Sequence, residues 1–290
     1  MAVTTSGAGG IQELYSNVVQ TALYQISEQT VIRPLVKQFD LSGTPGLIAQ
    51  IPIFPAISAS NLTEGSDLVV GTDDATFNTT AVEVTCAEKG VLVSLTDLAR
   101  DAATGDVGAA IGRQIGDAMA KKIDTDLAAL FSGFSNTVGS GANELTVEDI
   151  FKAAAILRSG NGTEVVPGPY VGFLHPKQAF QIKKQLTNAG NTNMVNPSNV
   201  GNSALISGSI GRIAGIDLYE TSVITGDSAG AFAGCVMSSE ALAYVAKRPM
   251  SIAIQRDESY RLTEFVGTMA YGVKELRDTY GVQLLGDANL

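Results

Sequence analysis

Few side chains in this sequence of 290 residues could perform chemistry. His175 is the only histidine, which excludes a metal site with several histidine ligands and leaves one imidazole for a hydrolytic triad. It precedes Pro176 at a predicted strand-to-helix corner, and no GxSxG sequence lies next to it in the chain. We therefore expect His175 to have a structural role.

Phosphate-binding and acidic motifs are equally scarce. The sequence contains no Gly-Lys dipeptide, and so no GxxxxGKS/T loop, and no GxGxxG follows a strand. Acidic residues cluster at three places, which are Asp73 with Asp74, Asp124 with Asp126, and Glu144 with Glu148 and Asp149. Because their spacing matches no calcium loop, we expect solvated turns and helix starts there. The sequence predicts no catalytic residue, no cofactor and no metal site.

Composition narrows the class of protein further. Cys86 and Cys235 lie in apolar, strand-like contexts without CxxC spacing, which predicts buried free thiols in a reducing compartment. No apolar run approaches the ~20 residues that span a bilayer, and the polar residues 1–10 do not resemble a secretory signal. The net charge of −10 argues against a broad basic surface for nucleic acid, although local spots at Lys121–Lys122 or Lys183–Lys184 remain open.

The first half of the chain predicts two helices around a hairpin. Apolar residues recur at helical spacing over Ile11–Ile26, and a second helix begins after Thr96 or near Thr104 and runs to about Phe131. Between them, two strand-like runs, Leu47–Phe54 and Ala81–Cys86, flank a polar centre. Pro52 and Pro55 cannot donate ladder hydrogen bonds, so the first run belongs on a sheet edge or a protruding hairpin.

The second half mixes two helices with strands. A capping box at Thr146–Asp149 predicts a helix start, and a strand at Tyr170–Leu174 precedes a helix that opens at Pro176 and runs to Leu186. The stretch Asn188–Ser203 is rich in Asn and Gly, which predicts an exposed loop. Alternation then predicts strands at 213–224, 232–237, 252–254, 260–266, 271–276 and 280–285, with a short helical or extended turn at 239–244.

The order of these parts resembles the major capsid protein of tailed bacteriophages, with its Hong Kong 97-type fold of the α+β class. Ile11–Lys37 is similar to the N-arm of that family, and the hairpin from about Gly46 to Thr80, with the tip Asn61–Gly65, to its extended E-loop. The helix Thr104–Phe131 resembles the spine helix of the peripheral domain. The block from Glu144 to about Met237 resembles the axial domain, chiefly at Phe173–Phe180 and Gly208–Glu220.

The resemblance implies a division of the chain into an N-arm, an E-loop, a peripheral domain in two parts and an axial domain between those parts. The last part would complete the sheet of the peripheral domain. The expected bounds are 1–45 for the N-arm, 46–80 for the E-loop, 81–143 and 239–290 for the peripheral domain, and 144–238 for the axial domain.

The resemblance also implies a function without catalysis. The chain would self-assemble into the hexamers and pentamers of an icosahedral phage head around double-stranded DNA, in the host bacterial cytoplasm. Its other partners would be the portal protein and, in some systems, separate scaffolding or decoration proteins. Because an isolated hairpin is marginal in water, its apolar residues would gain burial from a neighbouring copy. The expected contact residues are Ile51, Ile53, Phe54, Leu62, Glu64 and Leu68 on the E-loop, Leu14, Tyr15 and Val18 on the N-arm, and Asn193, Asn196 and Asn199 on an axial loop.

Two features depart from parts of that family. Some members link their subunits by an isopeptide bond from a lysine on the E-loop, whereas no lysine occurs here between Lys37 and Lys89. Some members carry a long scaffolding segment before the arm, whereas here the arm begins almost at Met1, which implies a separate scaffold or none. The sequence therefore predicts a shell that non-covalent contacts hold together.

Two other structural classes remain open. An encapsulin-like compartment would use the same fold to enclose cargo enzymes instead of a genome. A flagellin-like or S-layer-like surface protein would also explain one histidine, two cysteines and no tryptophan. A flagellin, however, would end in a long heptad-like helix, and this chain ends in strand-like alternation.

The absence of a cross-linking lysine gives a direct test of the predicted non-covalent shell. Boiled in denaturant and reductant, purified particles should release this chain only as its 30.1 kDa monomer on a gel. A ladder of covalent multimers would contradict this prediction.

Overall fold

The computed structural model describes residues 30–54, 57, 61, 64–65, 79–102, 107–160, 165–187, 210–227 and 230–287. Within these ranges, the α-helices are α1 Asp97–Ala102, α2 Val107–Ala128, α3 Val147–Ser159 and α4 Pro176–Thr187. The strands of the first half are β1 Lys37–Asp40, β2 Ile48–Ile53, β3 Thr80–Thr85, β4 Ala87–Thr96 and β5 Thr137–Ser140. Those of the second half are β6 Tyr170–Leu174, β7 Arg212–Ile213, β8 Ile216–Glu220, β9 Ala231–Ser238, β10 Leu242–Asp257, β11 Leu262–Glu275 and β12 Gly281–Asp287.

These strands form two larger sheets and one hairpin. The four-stranded sheet has the order β1-β10-β11-β4, with β1 parallel to β10 and the other pairs antiparallel. The six-stranded sheet has the order β5-β12-β9-β6-β8-β7. The hairpin is β2 with β3. The predicted mixed α+β class is therefore confirmed.

Helix α2 packs against one face of the four-stranded sheet. Its buried apolar residues recur every four positions, as the sequence predicts, and are Ile111, Ile115, Met119, Ile123 and Leu127. On β11, a Cβ atom at Gly267 would lie 2.7 Å from the Ile115 Cγ2 atom, so only glycine lets the helix approach this closely. The side of the sheet that faces away from α2 is called the outer face below.

The predicted capping box is present at the start of α3. The Thr146 hydroxyl accepts a hydrogen bond from the backbone N–H of Asp149 at 3.2 Å, and the Asp149 carboxylate accepts one from the backbone N–H of Thr146 at 3.0 Å. At the other end, Gly160 takes the left-handed conformation with φ of 61°. Helix α3 therefore has both of its ends specified locally.

Three glutamines on α4 hold neighbouring backbone segments together. Gln181 accepts from the N–H of Leu145 at 3.1 Å and donates to the carbonyl of Asp287 at 2.6 Å, while its own side chain is 2% exposed. Gln178 donates to the carbonyl of Phe232 at 2.8 Å, and Gln185 bonds both Leu145 and Val147. These amides join α4 to the entry of α3 and to the sheet.

A buried carboxylate anchors the first described residues to α2. Asp124 accepts hydrogen bonds from the backbone N–H groups of Val31 at 2.7 Å, Ile32 at 3.3 Å and Arg33 at 3.4 Å. Arg33 begins a short 3-10 helix, so the carboxylate lies at the positive end of its dipole. The expectation of a solvated Asp124 is wrong, because only 2% of this residue is exposed.

Several predicted elements are connected differently. The expected turn at 239–244 contains the start of β10, and the two strands expected at 260–266 and 271–276 are one strand, β11. The expected strand 213–224 is divided into β7 and β8 by a tight turn, in which Ala214 and Gly215 have φ of 54° and 84°. The expected helix Ile11–Ile26 and most of the Asn-rich loop lie outside the described residues.

Within the last part of the chain, β10 and β11 pair in the four-stranded sheet, but the last strand does not. Instead, β12 lies between β5, its parallel neighbour, and β9, its antiparallel neighbour, in the six-stranded sheet. Strand β5 itself forms within the Gly- and Ser-rich segment 133–143. Alternation predicts that β12 is a strand but does not specify its partner.

Replacing Asp124 tests the anchor. Asp124→Ala leaves buried N–H groups without an acceptor, so we expect urea unfolding to show a loss of about 2 to 4 kcal/mol. Burial raises the pKa of the Asp124 carboxyl, against the opposing influence of its three N–H donors and of Arg33. The folded chain then binds the proton more tightly than the unfolded chain. The stability of the wild type relative to Asp124→Asn should therefore fall as the pH rises from 3.8 through the raised pKa.

The matched control for this anchor is the exposed Asp101 on α1, whose change to alanine should alter stability by less than about 0.5 kcal/mol. Equal stability of Asp124→Ala and Asp101→Ala would contradict the role of the anchor.

Replacing Gln181 tests the glutamine contacts of α4. Gln181→Leu removes the partners of the Leu145 N–H and the Asp287 carbonyl, so we expect a loss of about 2 to 4 kcal/mol in urea unfolding. The control Gln114→Leu changes an exposed glutamine on α2 and should leave the free energy of unfolding nearly unchanged. A wild-type midpoint for Gln181→Leu would show that these bonds contribute nothing.

Candidate assembly surfaces

The hairpin of β2 and β3 follows the predicted geometry. Its strands pair antiparallel from Ile48 with Thr85 to Ile53 with Thr80, and Pro52 pairs with Ala81. Because β2 and β3 form a two-stranded sheet, Pro52 is on an edge strand, as its missing N–H requires. After Thr85 the chain passes through Cys86 directly into β4.

The root of the hairpin packs on the outer face of the four-stranded sheet. Ile51 and Val84 form a small apolar cluster with Cys86 and with Ala243 and Val245 of β10. The approach is close because β11 has Gly272 at this point, where a Cβ atom would lie 2.6 Å from the Thr85 carbonyl oxygen. The sheet therefore fixes where the hairpin leaves the body.

Polar contacts reinforce this root. Arg277 donates to the carbonyl of Phe54 at 3.0 Å, and Lys274 donates to the carbonyl of Glu83 at 3.0 Å. Lys274 lies near the C-terminal end of β11, and Arg277 lies two residues after that strand ends. The same segment of the chain therefore holds both strands of the hairpin. Nothing in the sequence marks Arg277 or Lys274 for this role.

The predicted E-loop contact residues divide into two groups. Ile51 is only 9% exposed and packs within its own chain, which leaves it little surface for the predicted contact with a neighbour. Ile53 is half-buried, Phe54 is 51% exposed and Glu64 is exposed. Outside the described residues lie Leu62 and Leu68 of the E-loop, Leu14, Tyr15 and Val18 of the N-arm, and Asn193, Asn196 and Asn199 of the axial loop.

Other apolar side chains remain exposed on the described surface. Leu92 of β4 is 60% exposed on the outer face, in register with Val266 of β11 and Ala253 of β10. Phe151 on α3 and Phe180 on α4 are each about half exposed. The alternation of β4 shows that one of its faces is apolar, but the sequence does not show that Leu92 on the opposite face stays uncovered.

The only imidazole has a structural environment. His175 stacks on Phe232 with ring centroids 3.9 Å apart, and its Nδ1 atom accepts from the backbone N–H of Lys177 at 3.3 Å. Burial, and then the charge of Lys177, hold the pKa of His175 below its usual value. The imidazole ring therefore stabilises the turn between β6 and α4, which is the structural role that the sequence predicts.

Two thiols and one phenol also lie in the packed interior. Cys86 and Cys235 are buried free thiols, as predicted, and burial raises the pKa of each. The Tyr271 hydroxyl donates to Asp126 at 2.8 Å, and burial followed by this bond raises the pKa of Tyr271. Among the described residues, no three His, Cys, Asp or Glu side chains are grouped to hold a metal ion. None of the described helices is both long and apolar enough to cross a bilayer.

Solved structures of phage heads share this fold. A structure from Mycobacterium phage Che8 has a TM-score of 0.69 at 19% sequence identity, over 88% of this chain and 91% of that chain. The capsid of cyanophage P-SCSP1u has a TM-score of 0.68 at 17% identity, over 88% of this chain and 87% of that one. An acid-stable capsid of Helicobacter pylori bacteriophage KHP30 has a TM-score of 0.68 at 12% identity, over 89% and 91%. No curated protein sequence matches the chain.

The sequence itself matches a family model. The model described as phage capsid protein covers residues 77–284, well over half of the chain. The match includes α2, β4, β10 and β11 in full, and β10 and β11 are the strands on which the hairpin root packs. The fold and the family agree on a structural protein of the virion. The chain therefore belongs to the phage capsid protein family, as its resemblance to the tailed-phage major capsid protein predicts.

Proposed function

We propose that this chain is a major capsid protein that self-assembles into the hexamers and pentamers of an icosahedral head. The observation that supports this most is the hairpin, whose root is fixed on its own sheet while Phe54, at its exit, remains 51% exposed. A fixed root gives the hairpin a defined direction. An exposed aromatic residue at the exit suits burial against another copy.

The subdomains of the Hong Kong 97-type fold map onto the sheets with one change. We assign residues 1–45 to the N-arm, 46–80 to the E-loop, and 81–143 with 239–290 to the peripheral domain, apart from β5 and β12. Residues 144–238 form the axial domain, and β5 and β12 join it because they pair within its sheet. Helix α2 is the spine helix of this arrangement.

The contacts that hold the shell are non-covalent and numerous. Ile53, Phe54 and Glu64 of the E-loop remain our proposed contact residues, with Leu62 and Leu68 further along the same segment. The N-arm contributes through Leu14, Tyr15 and Val18, and the axial loop through Asn193, Asn196 and Asn199. Contacts that engage together raise the avidity by about 10² to 10⁴ over a single contact, so interfaces of modest affinity suffice.

The charge of the chain suits a container for a genome. A net charge of −10 gives little attraction for phosphates, so enclosed double-stranded DNA can move during packaging. The head would assemble in the host bacterial cytoplasm with a portal protein, and with separate scaffolding or decoration proteins where the system uses them. Nucleic acid in purified particles would support this function, whereas enclosed enzymes would favour an encapsulin-like compartment.

Shortening the hairpin tests the proposal. Deleting residues 56–76 leaves 54, 55 and 77–79 as a short loop between Ile53 and Thr80, which remain paired. Ile51 and Val84 stay in place, so we expect a soluble chain with unchanged circular dichroism that forms no closed particles in electron micrographs. The control replaces residues 56–76 by a Gly/Ser segment of equal length, which should also fail if the side chains provide the contacts. Normal shells from the deletion would contradict the E-loop assignment.

A further inference from the structure

Strand β4 forms the longest regular edge among the described strands. It is ten residues long and pairs with β11 in unbroken register from Ala87 with Tyr271 to Thr96 with Leu262. No strand among the described residues pairs with the other side of β4. An edge of this length presents a row of unpaired backbone groups, which is a template for another strand.

The ladder shows which backbone groups face outward. The N–H of Asp97 donates to the carbonyl of Arg261 at 3.1 Å, which continues the pairing of β4 with β11 by one residue. In an antiparallel ladder, alternate residues bond to the partner strand, so odd-numbered residues of β4 face β11. The even-numbered residues therefore direct their N–H and C=O groups away from β11, and they are Glu88, Gly90, Leu92, Ser94 and Thr96.

The other long edge of the same sheet is interrupted. Beyond β1, which pairs only with Ala243–Ala246, strand β10 continues through two register shifts. Lys247, Arg248 and Pro249 lie within this irregular part. Bulges, cations and proline are the features that prevent an edge from pairing with another chain. Strand β4 has no bulge and no proline, and its single lysine is at its start.

Several of the remaining described edges are also poor templates. Strands β1, β5 and β7 have four, four and two residues. Strand β2 contains Pro52. In contrast, the segment from Gly90 to Thr96 is uncharged, and Leu92 on its outer face is 60% exposed.

We propose that the outer edge of β4 pairs in the shell with an extended strand of a second copy, through main-chain hydrogen bonds. This inference rests on the proposed function, because a shell brings copies of one chain side by side. The uncharged edge offers no cation for nucleic acid phosphates. It does offer outward amides and carbonyls with an apolar neighbour in Leu92, and these are the groups that a protein strand requires.

Hydrogen exchange at single-residue resolution tests this pairing without any variant. In dissociated subunits, the outward amides of Gly90, Leu92 and Ser94 should exchange quickly, whereas those of Val91 and Val93 should be slow. In assembled shells, we expect the three outward amides to slow by about a hundredfold or more. Unchanged fast exchange in shells would overturn the proposal. Slow exchange already in dissociated subunits would also overturn it, because the chain would then cover its own edge.

A proline variant provides the second test. Ser94→Pro removes an outward N–H without removing a bond to β11, so the subunit should keep its circular dichroism while its yield of shells falls at least tenfold. Ser94→Ala should assemble normally. Val93→Pro removes an inward N–H and should prevent folding. Wild-type shells alongside normal shells of Ser94→Pro would refute the edge pairing alone, whereas a wild type that forms no shells would refute the proposed function.

Discussion

The close packing of three layers at β11 is the constraint on which the body of this protein depends. On one face, Gly267 leaves room for Ile115 of α2. On the outer face, Gly272 leaves room for the backbone of β3 at Thr85. A side chain at either position would push one layer away, because protein interiors have little free volume. Helix α2 and the hairpin are thus both positioned by one strand.

That arrangement separates rigid from extendable parts of a capsid subunit. The hairpin root is held by the Ile51 cluster and by cations at the end of β11, so its direction is set by the sheet. The first described residues are likewise tied to α2 by Asp124. Each part that would reach a neighbour therefore starts from a fixed point, which lowers the conformational entropy that binding must overcome.

Much of the fold follows from local patterns in the sequence. The four-residue spacing along α2, the box Thr146–Asp149 and the prolines around β2 all act within a few residues, so they predict the elements correctly. What could not be predicted depends on residues far apart in the chain. Asp124 is buried because its partners lie 91 to 93 positions earlier.

Side-chain type alone can also mislead. Polar residues such as Gln178, Gln181 and Gln185 would be expected on a solvated helix face. They point inward instead, because they form hydrogen bonds with backbone N–H and C=O groups that lie beside α4. Ile51 has the apolar character of a contact residue, but its own sheet already covers it. Residue type therefore suggested which side chains need partners, and the tertiary arrangement decided whether those partners come from the same chain.

The pairing of early strands with late ones bears on synthesis of the subunit. Strands β1 and β4 pair with β10 and β11, and β5 pairs with β12, across well over a hundred residues in each case. None of these ladders can form until the later strand has left the ribosome, and such non-local pairing is slow. A nascent chain therefore lacks a finished body while it is being translated. Neighbouring ribosomes on one messenger RNA then carry chains that are not yet competent to join each other.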